Sequence, residues 1–314
     1  MTAIIILNWH GADDTIACLE SLRKAEGDFR VYVVDNGSTD DSVNRISAWI
    51  DANTGLEVEL CPLDKNYGFA KGNNKGIARA RTLNPDSYLL LNNDTEVEPD
   101  FLIRLQDFSK RNPQYRVLTP RINYYYDKNK VWNCGGHLFF GFRKYYYAGS
   151  PASTIKEKGY IPVSFVTGCA LYFYPEVLNE EGALFTERFF FGEEDFELSM
   201  RLHKENKYIA CVLDSLIYHK VGASIGRSPS VSKVYLHNLN RFINVRLHFG
   251  VFKYVLWLLL SVPILFKHLY GATNNLALSF KLARSLVCDA CKKDGVTQTD
   301  FKKILNGEYF TYKV

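Results

Sequence analysis

The stretch Leu89-Leu90-Leu91-Asn92-Asn93-Asp94-Thr95 is an apolar run that ends abruptly in amides and a carboxylate. This pattern predicts a buried strand that delivers polar groups to the edge of a sheet, where a ligand can bind. A second run of the same form follows much later in the chain, Phe189-Phe190-Phe191-Gly192-Glu193-Glu194-Asp195. Together the two segments could hold a cation against a phosphate and supply a base. The pair therefore indicates a group-transfer enzyme.

Strand and helix patterns alternate from the N-terminus to the first of these segments. Such alternation builds a mostly parallel sheet with helices on both faces, and ligands gather at the carboxyl ends of its strands. Asp35, the loop 66–74 and Asp94 all fall at such ends. The fold class predicted from the residues is therefore α/β, with strands over residues 3–8, 29–34, 57–61 and 88–91.

Composition indicates an ordinary globular protein, because 47% of the 314 residues are hydrophobic and 23% are charged. The seven cysteines show no framework, and no signal-peptide pattern follows Met1, so a reducing, cytoplasmic compartment is expected. From Arg241 onward the chain has 11 Lys/Arg and 4 Asp/Glu. A basic segment of this kind favours an anionic surface, either membrane or nucleic acid. The cations are interleaved with aliphatic runs, which disfavours nucleic acid.

The longest apolar stretch covers residues 254–266 and is bracketed by Lys253 and Lys267. A spanning helix needs about 20 apolar residues, so no spanning helix is predicted here. The segment has the pattern of a helix that lies on an anionic membrane surface, at the inner face of the cell membrane. A buried helical subdomain or a homodimer interface is the alternative, and the sequence leaves both open.

Six motifs together resemble glycosyltransferase family 2, and they are most similar to its bacterial rhamnosyltransferase-like branch. The resemblance extends over residues 3–225 and implies a GT-A fold, in which a Rossmann-like, mostly parallel sheet is flanked by helices. It further implies a nucleotide-binding half over 1–97, an acceptor-binding half over 98–230 and a helical C-terminal region over 231–314. The motifs are residues 6–11, 33–40, 66–74, 91–95, 189–201 and 219–224.

The resemblance assigns the nucleotide base to the ends of the first two strands. Asp35 would accept hydrogen bonds from the base, Leu7 would line the pocket through its backbone, and Trp9 would offer a face for stacking. The residues also fit simpler interpretations. Asp35-Asn36-Gly37-Ser38 is turn chemistry in its own right, and a tryptophan is often a core residue.

The loop 66–74 would bind the donor diphosphate. It offers backbone N–H groups from Asn66 to Gly72 near a helix N-terminus, and Lys71 adds a cation. As a pattern it is not a P-loop. Its position one strand before Asp94 is what favours the assignment.

Asn92-Asn93-Asp94 stands where the family commonly has Asp-x-Asp. Asp94 would therefore ligate Mn²⁺ or Mg²⁺, which offsets charge on the leaving group, while Asn92 and Asn93 would contact the nucleotide-sugar. An asparagine carbonyl ligates a hard cation with less charge than a carboxylate. His219 stands where the family often places a further metal ligand, although an isolated histidine is more often structural.

Glu194-Asp195 matches the family's Glu-Asp pair. Asp195 would be the general base for the attacking hydroxyl, with Glu194 as an orienting neighbour. A helix N-terminus lowers the pKa of a carboxylate, whereas crowding by like charges raises it. The alternative is that these acids only stabilise the start of a helix.

The sequence thus predicts an inverting glycosyltransferase that moves one sugar from a nucleotide-diphospho-sugar, dTDP-rhamnose by branch resemblance, to a saccharide or lipid-linked acceptor of a bacterial surface polysaccharide. The Gln-x-x-Arg-Trp signature of processive synthases is missing from the sequence. Two alternatives remain, a sugar nucleotidyltransferase and a non-catalytic binding protein of the same fold. The first should have a glycine-rich turn behind the first strand, and His10-Gly11-Ala12-Asp13 does not supply one.

Overall fold

The computed structural model describes residues 1–221 and 231–308. Its strands form a ten-stranded sheet and a separate two-stranded hairpin made by β8 and β9. The strands are β1 Thr2–Asn8, β2 Phe29–Asp35, β3 Val58–Pro62, β4 Ser87–Asn92, β5 Thr95–Val97, β6 Tyr115–Tyr124, β7 Val131–Asn133, β8 Gly136–Phe139, β9 Phe142–Tyr145, β10 Tyr160–Val163, β11 Ala170–Phe173 and β12 Tyr208–His219.

The N-terminal half of the sheet is parallel, as the alternation predicts. β1 lies between β2 and β4, and β3 extends the sheet beyond β2. The register sets Asn8 beside Asp35 and Leu7 beside Asn92. Because parallel strands end at the same side, the polar residues predicted at the strand ends do meet at one edge.

The other half of the sheet is mixed in direction. β11 runs antiparallel between β4 and β6, and β12 runs parallel to β6. The short strand β5 pairs with the end of β12, which sets Thr95 opposite His219. The sheet therefore carries His219 to the edge where Asp94 lies, although 125 positions separate them in the sequence numbering.

Helices cover both faces of the sheet, and an apolar cluster fills each side. The mostly parallel α/β class is confirmed. The described helices are α1 Ala12–Leu22, α2 Ser42–Ala52, α3 Phe69–Ala80, α4 Phe101–Arg111, α5 Glu194–Lys204, α6 Val231–His248, α7 Val251–Thr273, α8 Leu276–Lys292 and α9 Gln298–Leu305.

The C-terminal region is helical, as predicted, and its third apolar cluster includes Phe189 and Phe196. The predicted boundary at residue 230 falls outside the described residues, as does 309–314. The apolar stretch 254–266 is only part of a longer helix. α7 continues through Pro263 and Lys267 to 23 residues, and by length and composition it could cross a membrane. Its inner face packs on α6 and α8, which supports the helix across the proline.

Candidate active site

Asp35 ends β2 as a buried residue whose carboxylate is fully engaged in a turn. Ser38 donates its backbone N–H at 2.8 Å and its hydroxyl at 2.7 Å, and Asn8 Nδ2 donates to Oδ2 at 2.7 Å. The turn interpretation of Asp35 is therefore confirmed. Asn8 Oδ1 also accepts from Thr15 Oγ1 at 2.9 Å, so Asn8 joins two strand ends and α1. A nucleotide base could hydrogen-bond to Asp35 only through carboxylate oxygens that already accept these bonds.

Trp9 is not a core residue, because 54% of it is exposed. Its ring stacks on His10, with centroids 4.8 Å apart, and His10 Nε2 accepts from the Thr39 N–H at 2.9 Å. The turn after Asp35 thus holds a flat aromatic surface at the strand ends. Leu7 lies one position before Asn8 in β1, and a Cβ at Gly72 would meet its side chain at 2.7 Å. Gly72 therefore allows α3 to pack closely on β1.

Backbone N–H groups of the loop before α3 are hydrogen-bonded within the protein. Asn66 Oδ1 accepts from the Gly68 N–H at 2.8 Å, and Asn36 Oδ1 accepts from the Tyr67 N–H at 2.9 Å. The Phe69 N–H donates to the Phe190 carbonyl at 3.1 Å. These three amides are therefore not free for a diphosphate, contrary to the expectation from the glycine-rich pattern.

Lys71 lies on the first turn of α3 and pairs with Glu187 at 2.8 Å. Both side chains are exposed to more than a third, so water screens the pair and it contributes little stability. The ammonium group can leave Glu187 for a stronger anion at small cost. Lys71 thus remains the donor from this loop that a diphosphate could reach.

The segment after β4 places Asp94 against His219, with Asp94 Oδ1 and His219 Nε2 at 3.1 Å. Both residues are buried, and the ring of Trp132 packs edge-on against the His219 ring at 4.3 Å. Asn93 points the other way, because its Nδ2 donates to Thr15 Oγ1 at 3.1 Å. The predicted ligands Asp94 and His219 are thus brought together, while Asn93 holds the strand end to α1.

The donor set at this place fits a divalent cation in part. Among the described atoms, Asp94 Oδ1 is buried and makes no hydrogen bond, and the His219 ring at 3.1 Å is its ionic partner. Two ligands on adjacent corners of a six-coordinate cation lie about 3 Å apart when each bond is about 2.1 Å, which matches the spacing to His219. Within residues 1–221 and 231–308, no group of three His, Cys, Asp or Glu side chains is placed to hold a metal. Asp94 and His219 alone would need oxygens from substrate or water.

The second acidic segment is a turn and not a sheet strand, so the strand predicted before it was wrong. Phe189 makes only an isolated bridge to Val296. Gly192 (φ 94°) and Glu193 (φ 67°) then turn through the left-handed region, and α5 begins at Glu194. The three phenylalanines pack against side chains instead of extending a ladder; Phe190 and Phe191, for example, both contact the ring of Phe301.

Helix α6 holds this turn from the C-terminal region. Asn240 Nδ2 donates to the carbonyls of Phe191 and Gly192, and Asn244 Nδ2 donates to the carbonyl of Glu193. Arg241 makes two hydrogen bonds to the Glu193 carboxylate, at 2.6 and 2.8 Å. The region assigned to a separate tail is thus part of the site's framework.

Burial decides the electrostatics of the two acids that follow. Desolvation, with the nearby Asp195, raises the pKa of Glu194 to about 8. Desolvation also raises the pKa of Asp195, although Arg143 acts in the opposite direction. The helix N-terminus, which would lower the pKa of both acids, therefore has a smaller effect than burial. At neutral pH Glu194 holds its proton, and Asp195, whose side chain makes no ion pair among the described residues, is the better placed to accept one.

A short segment joins the two acidic regions. The carbonyl of Cys169 accepts the Asn92 N–H at 2.8 Å, and the adjacent Gly168 turns its backbone N–H toward the Asp195 carboxylate. Consecutive Cα atoms lie about 3.8 Å apart, so the two segments are neighbours. A Cβ added at Gly168 would lie 3.2 Å from the ring of Phe69, at the start of α3. Strand ends, loop and acidic turn thus surround one location.

Sequence reasoning missed the residues that support this location. Asn8 could have been noticed as a polar residue at the end of an apolar strand. One face of α6 carries two amides and a cation, Asn240, Asn244 and Arg241. This polar stripe among apolar residues was the signal that the sequence offered. Arg143, in the aromatic middle of the chain, gave none. The missed residues are Asn8, Arg143, Asn240, Arg241 and Asn244.

Comparison with known proteins agrees with this geometry. The model of the family described as glycosyl transferase family 2 matches residues 3–180, more than half of the chain. The chain belongs to glycosyl transferase family 2. The sheet and its helices therefore form a GT-A glycosyltransferase fold. No curated protein sequence matches the chain.

Solved structures share this family member's fold at low sequence identity. A mannosyltransferase from Pyrobaculum calidifontis, in complex with GDP-Man and Mn²⁺, is 13% identical with a TM-score of 0.58, over 99% of this chain and 80% of that one. TarS 1-349 of S. aureus with UDP-GlcNAc is 15% identical with a TM-score of 0.55, over 92% and 72%. GalNAc-T7 with UDP, GalNAc and Mn²⁺ is 16% identical with a TM-score of 0.59, over 75% and 47%.

Proposed function

We propose that this protein is an inverting glycosyltransferase that moves a single sugar from a nucleotide-diphospho-sugar to an acceptor hydroxyl. One observation carries the proposal. Asp195, a buried carboxylate without an ion pair among the described residues, accepts the backbone N–H of Gly168. The carbonyl of the next residue, Cys169, accepts the N–H of Asn92 at the strand end before Asp94. A base beside a cation-binding edge is what transfer from a diphosphate leaving group needs.

Asp195 accepts the proton of the acceptor hydroxyl as its oxygen forms a bond to the anomeric carbon. The bond from that carbon to the diphosphate breaks on the opposite side, so the configuration inverts. Glu194, protonated at neutral pH, stays neutral and keeps a second negative charge away from the base. Asp94 and His219 would hold Mn²⁺ or Mg²⁺, which when bound offsets the charge of the diphosphate.

The donor end is the strand edge of Asn8, Trp9 and Asp35. Trp9 presents an exposed face on which a nucleotide base can stack, and Lys71 can turn from Glu187 to a phosphate. The related structures bind GDP-Man and UDP-GlcNAc, so different nucleotides fit this fold. dTDP-rhamnose is our choice of donor from the motif resemblance alone.

We also infer that the protein works at the inner face of the membrane, on a saccharide or lipid-linked saccharide of the bacterial surface. The outer face of α7 and α8 is apolar, with Phe252 84% and Phe280 69% exposed. Between residues 251 and 288 there is no Asp or Glu. An apolar face with a cationic border fits an anionic lipid surface better than a second copy with the same charge. The cations are Lys253, Lys267, Lys281 and Arg284.

Co-flotation with vesicles tests this surface. We expect binding to phosphatidylglycerol vesicles, weaker binding to phosphatidylcholine, and loss of binding on Phe252→Glu combined with Phe280→Glu. The membrane proposal would be wrong if the protein bound neither kind of vesicle and light scattering showed a dimer that the same substitutions dissociate. The apolar face would then be a homodimer interface.

Calorimetric titration with UDP, dTDP and GDP, with and without Mn²⁺, tests the transferase proposal. We expect one nucleotide to bind tightly and only when the metal is present. This binding should be lost in Asp94→Ala. Glu96→Ala is the matched control, because it removes a carboxylate two residues away that pairs with Lys220. Absence of binding by all three nucleotides would overturn the assignment of Asp35 and Asp94.

A further inference from the structure

The first acid of the turn, Glu193, is enclosed by basic side chains. Only 1% of its side chain is exposed, and Arg241 grips both carboxylate oxygens. Arg143 approaches from β9 at 3.3 Å, and His237 approaches Oε1 from α6 at 3.0 Å. Burial alone would raise the pKa of Glu193, but Arg241 and Arg143 hold it well below its usual range. Glu193 is therefore a fixed anion, unlike the two acids that follow it.

The backbone of Glu193 is also held in an unfavourable form. A non-glycine residue in the left-handed region costs about 1 kcal/mol, so the surrounding contacts must impose it. Contacts of this kind come from α6, because the side-chain amides of Asn240 and Asn244 donate hydrogen bonds to the backbone carbonyls on either side of the bend. The direction in which α5 begins, and with it the position of Asp195, follows from this bend.

We propose that Glu193, Arg241, Asn240 and Asn244 form a clamp that positions the catalytic base Asp195, and that Arg143 sets the charge around that base. This inference rests on the proposed transferase function. None of the clamp residues needs to touch substrate, because they act through the turn. The C-terminal helices, which lie outside the residues matched by the family model, would then be required for the chemical step.

Charged groups face Asp195 from every packed element. Glu193 and Glu194 precede it, Arg143 and Tyr145 face it from β9, and His237 faces it from α6. Among the cations of the described residues, Arg143 lowers the pKa of Asp195 most, ahead of His237. Its side chain also packs over the rings of Tyr145 and Phe165 at 5.0 and 4.7 Å, so its position is fixed.

The positioning arm of the clamp is tested by Arg241→Lys. Lysine keeps the charge but loses the two-pronged grip on Glu193. We expect kcat to fall about tenfold to a hundredfold, while KM for the donor and the affinity for its nucleotide stay unchanged. Arg246→Lys is the matched control. Arg246 lies on the same helix and bonds to Asp294 and the Lys293 carbonyl, away from the turn, so its kcat should change less than twofold.

The charge arm is tested by the pH profile of kcat/KM for Arg143→Gln and Arg143→Lys. A cation near a carboxylate lowers the carboxylate pKa, so its removal raises that pKa. The acidic limb, where the base becomes protonated, should therefore move to higher pH by about one unit in Arg143→Gln. Arg143→Lys, which retains the charge, should restore the limb.

The outcomes separate cleanly. Equal losses in Arg241→Lys and Arg246→Lys, or a loss that follows the melting temperature and nucleotide affinity, would reduce the clamp to general scaffolding. If Arg241→Lys does not fold, the Arg143 pair decides, and an unmoved acidic limb overturns the proposal. Failure of the transferase function itself is distinguishable, because then the wild-type protein neither binds nucleotide nor transfers sugar.

Discussion

The two acidic segments have the same form in the sequence and are built in different ways. Asn92–Asp94 follows a central strand, and the ladders to β1 and β11 fix it on both sides. Glu193–Asp195 follows no sheet strand and is held by side chains from α6. The first position is set by backbone hydrogen bonds, whereas the second depends on a few named side chains. The second should therefore be easier to disturb by mutation.

The two acidic segments also suit different parts of the reaction. The strand edge presents the buried Asp94 carboxylate with His219 beside its Oδ1, which suits a cation and a diphosphate. The turn presents one paired anion, one protonated acid and one unpaired carboxylate, which suits proton transfer. Donor binding and base catalysis should accordingly be separable by substitution.

Asp195→Asn should have the largest effect, since it removes the base and keeps the shape of the side chain. We expect kcat to fall by about 10²–10⁴ with nucleotide affinity unchanged. Steady-state kinetics and calorimetry on the same preparation measure both quantities. Asp94→Asn is the mirror variant, in which nucleotide affinity with Mn²⁺ should fall first. An Asp195→Asn protein that loses nucleotide binding as well would contradict the division.

Glu194→Gln should change stability and its dependence on pH. The pKa of Glu194 is about 8 in the folded chain, against an ordinary value of 4.5 for an exposed glutamate, so the folded state holds a proton that the unfolded chain releases. Stability is therefore lost as pH rises from about 5 to 8, by an amount on the order of 2 kcal/mol or more.

The neutral amide removes this loss. Urea unfolding at pH 5 and pH 8 should give a smaller difference for Glu194→Gln than for the wild type. Glu26→Gln, a change at an exposed acid, serves as the control and should leave the difference as it was. A pH dependence that survives Glu194→Gln would show that the proton is held elsewhere.

Gly68→Ala tests the contact between the loop and the acidic turn. Gly68 has φ 84°, and an added Cβ would lie 2.1 Å from the Phe190 carbonyl oxygen. Gly149 has a similar φ of 79° with open space around it. Both substitutions cost about 1 kcal/mol of backbone strain.

Only Gly68→Ala must also move the turn. We expect it to lower the free energy of unfolding by about 2 kcal/mol more than Gly149→Ala, as overpacking does elsewhere. Thermal and urea unfolding measure the difference. Equal losses in the two variants would mean that the loop and the turn do not depend on each other.

Most of the parallel half of the fold could be read from local pattern. The strand ends before Asp35 and Asp94 were predicted to meet at one edge of the sheet, and the ladders confirm it. The same reasoning failed for residues 189–191, because an apolar run also forms when side chains pack beneath a turn. It also gave too short a helix around residues 254–266, because α7 runs from Val251 to Thr273 with support from neighbouring helices.

By itself the sequence determined the fold class and which carboxylates stand at the ends of apolar runs, because strand periodicity and turn chemistry are local properties. Only the tertiary structure decided which of those groups are free. Burial and partners from distant segments bound one oxygen of Asp35 to Asn8, kept a proton on Glu194 and paired Glu193 with Arg241. Such partners come from strands and helices far along the chain, and desolvation depends on everything packed around a group, so no local pattern contains them.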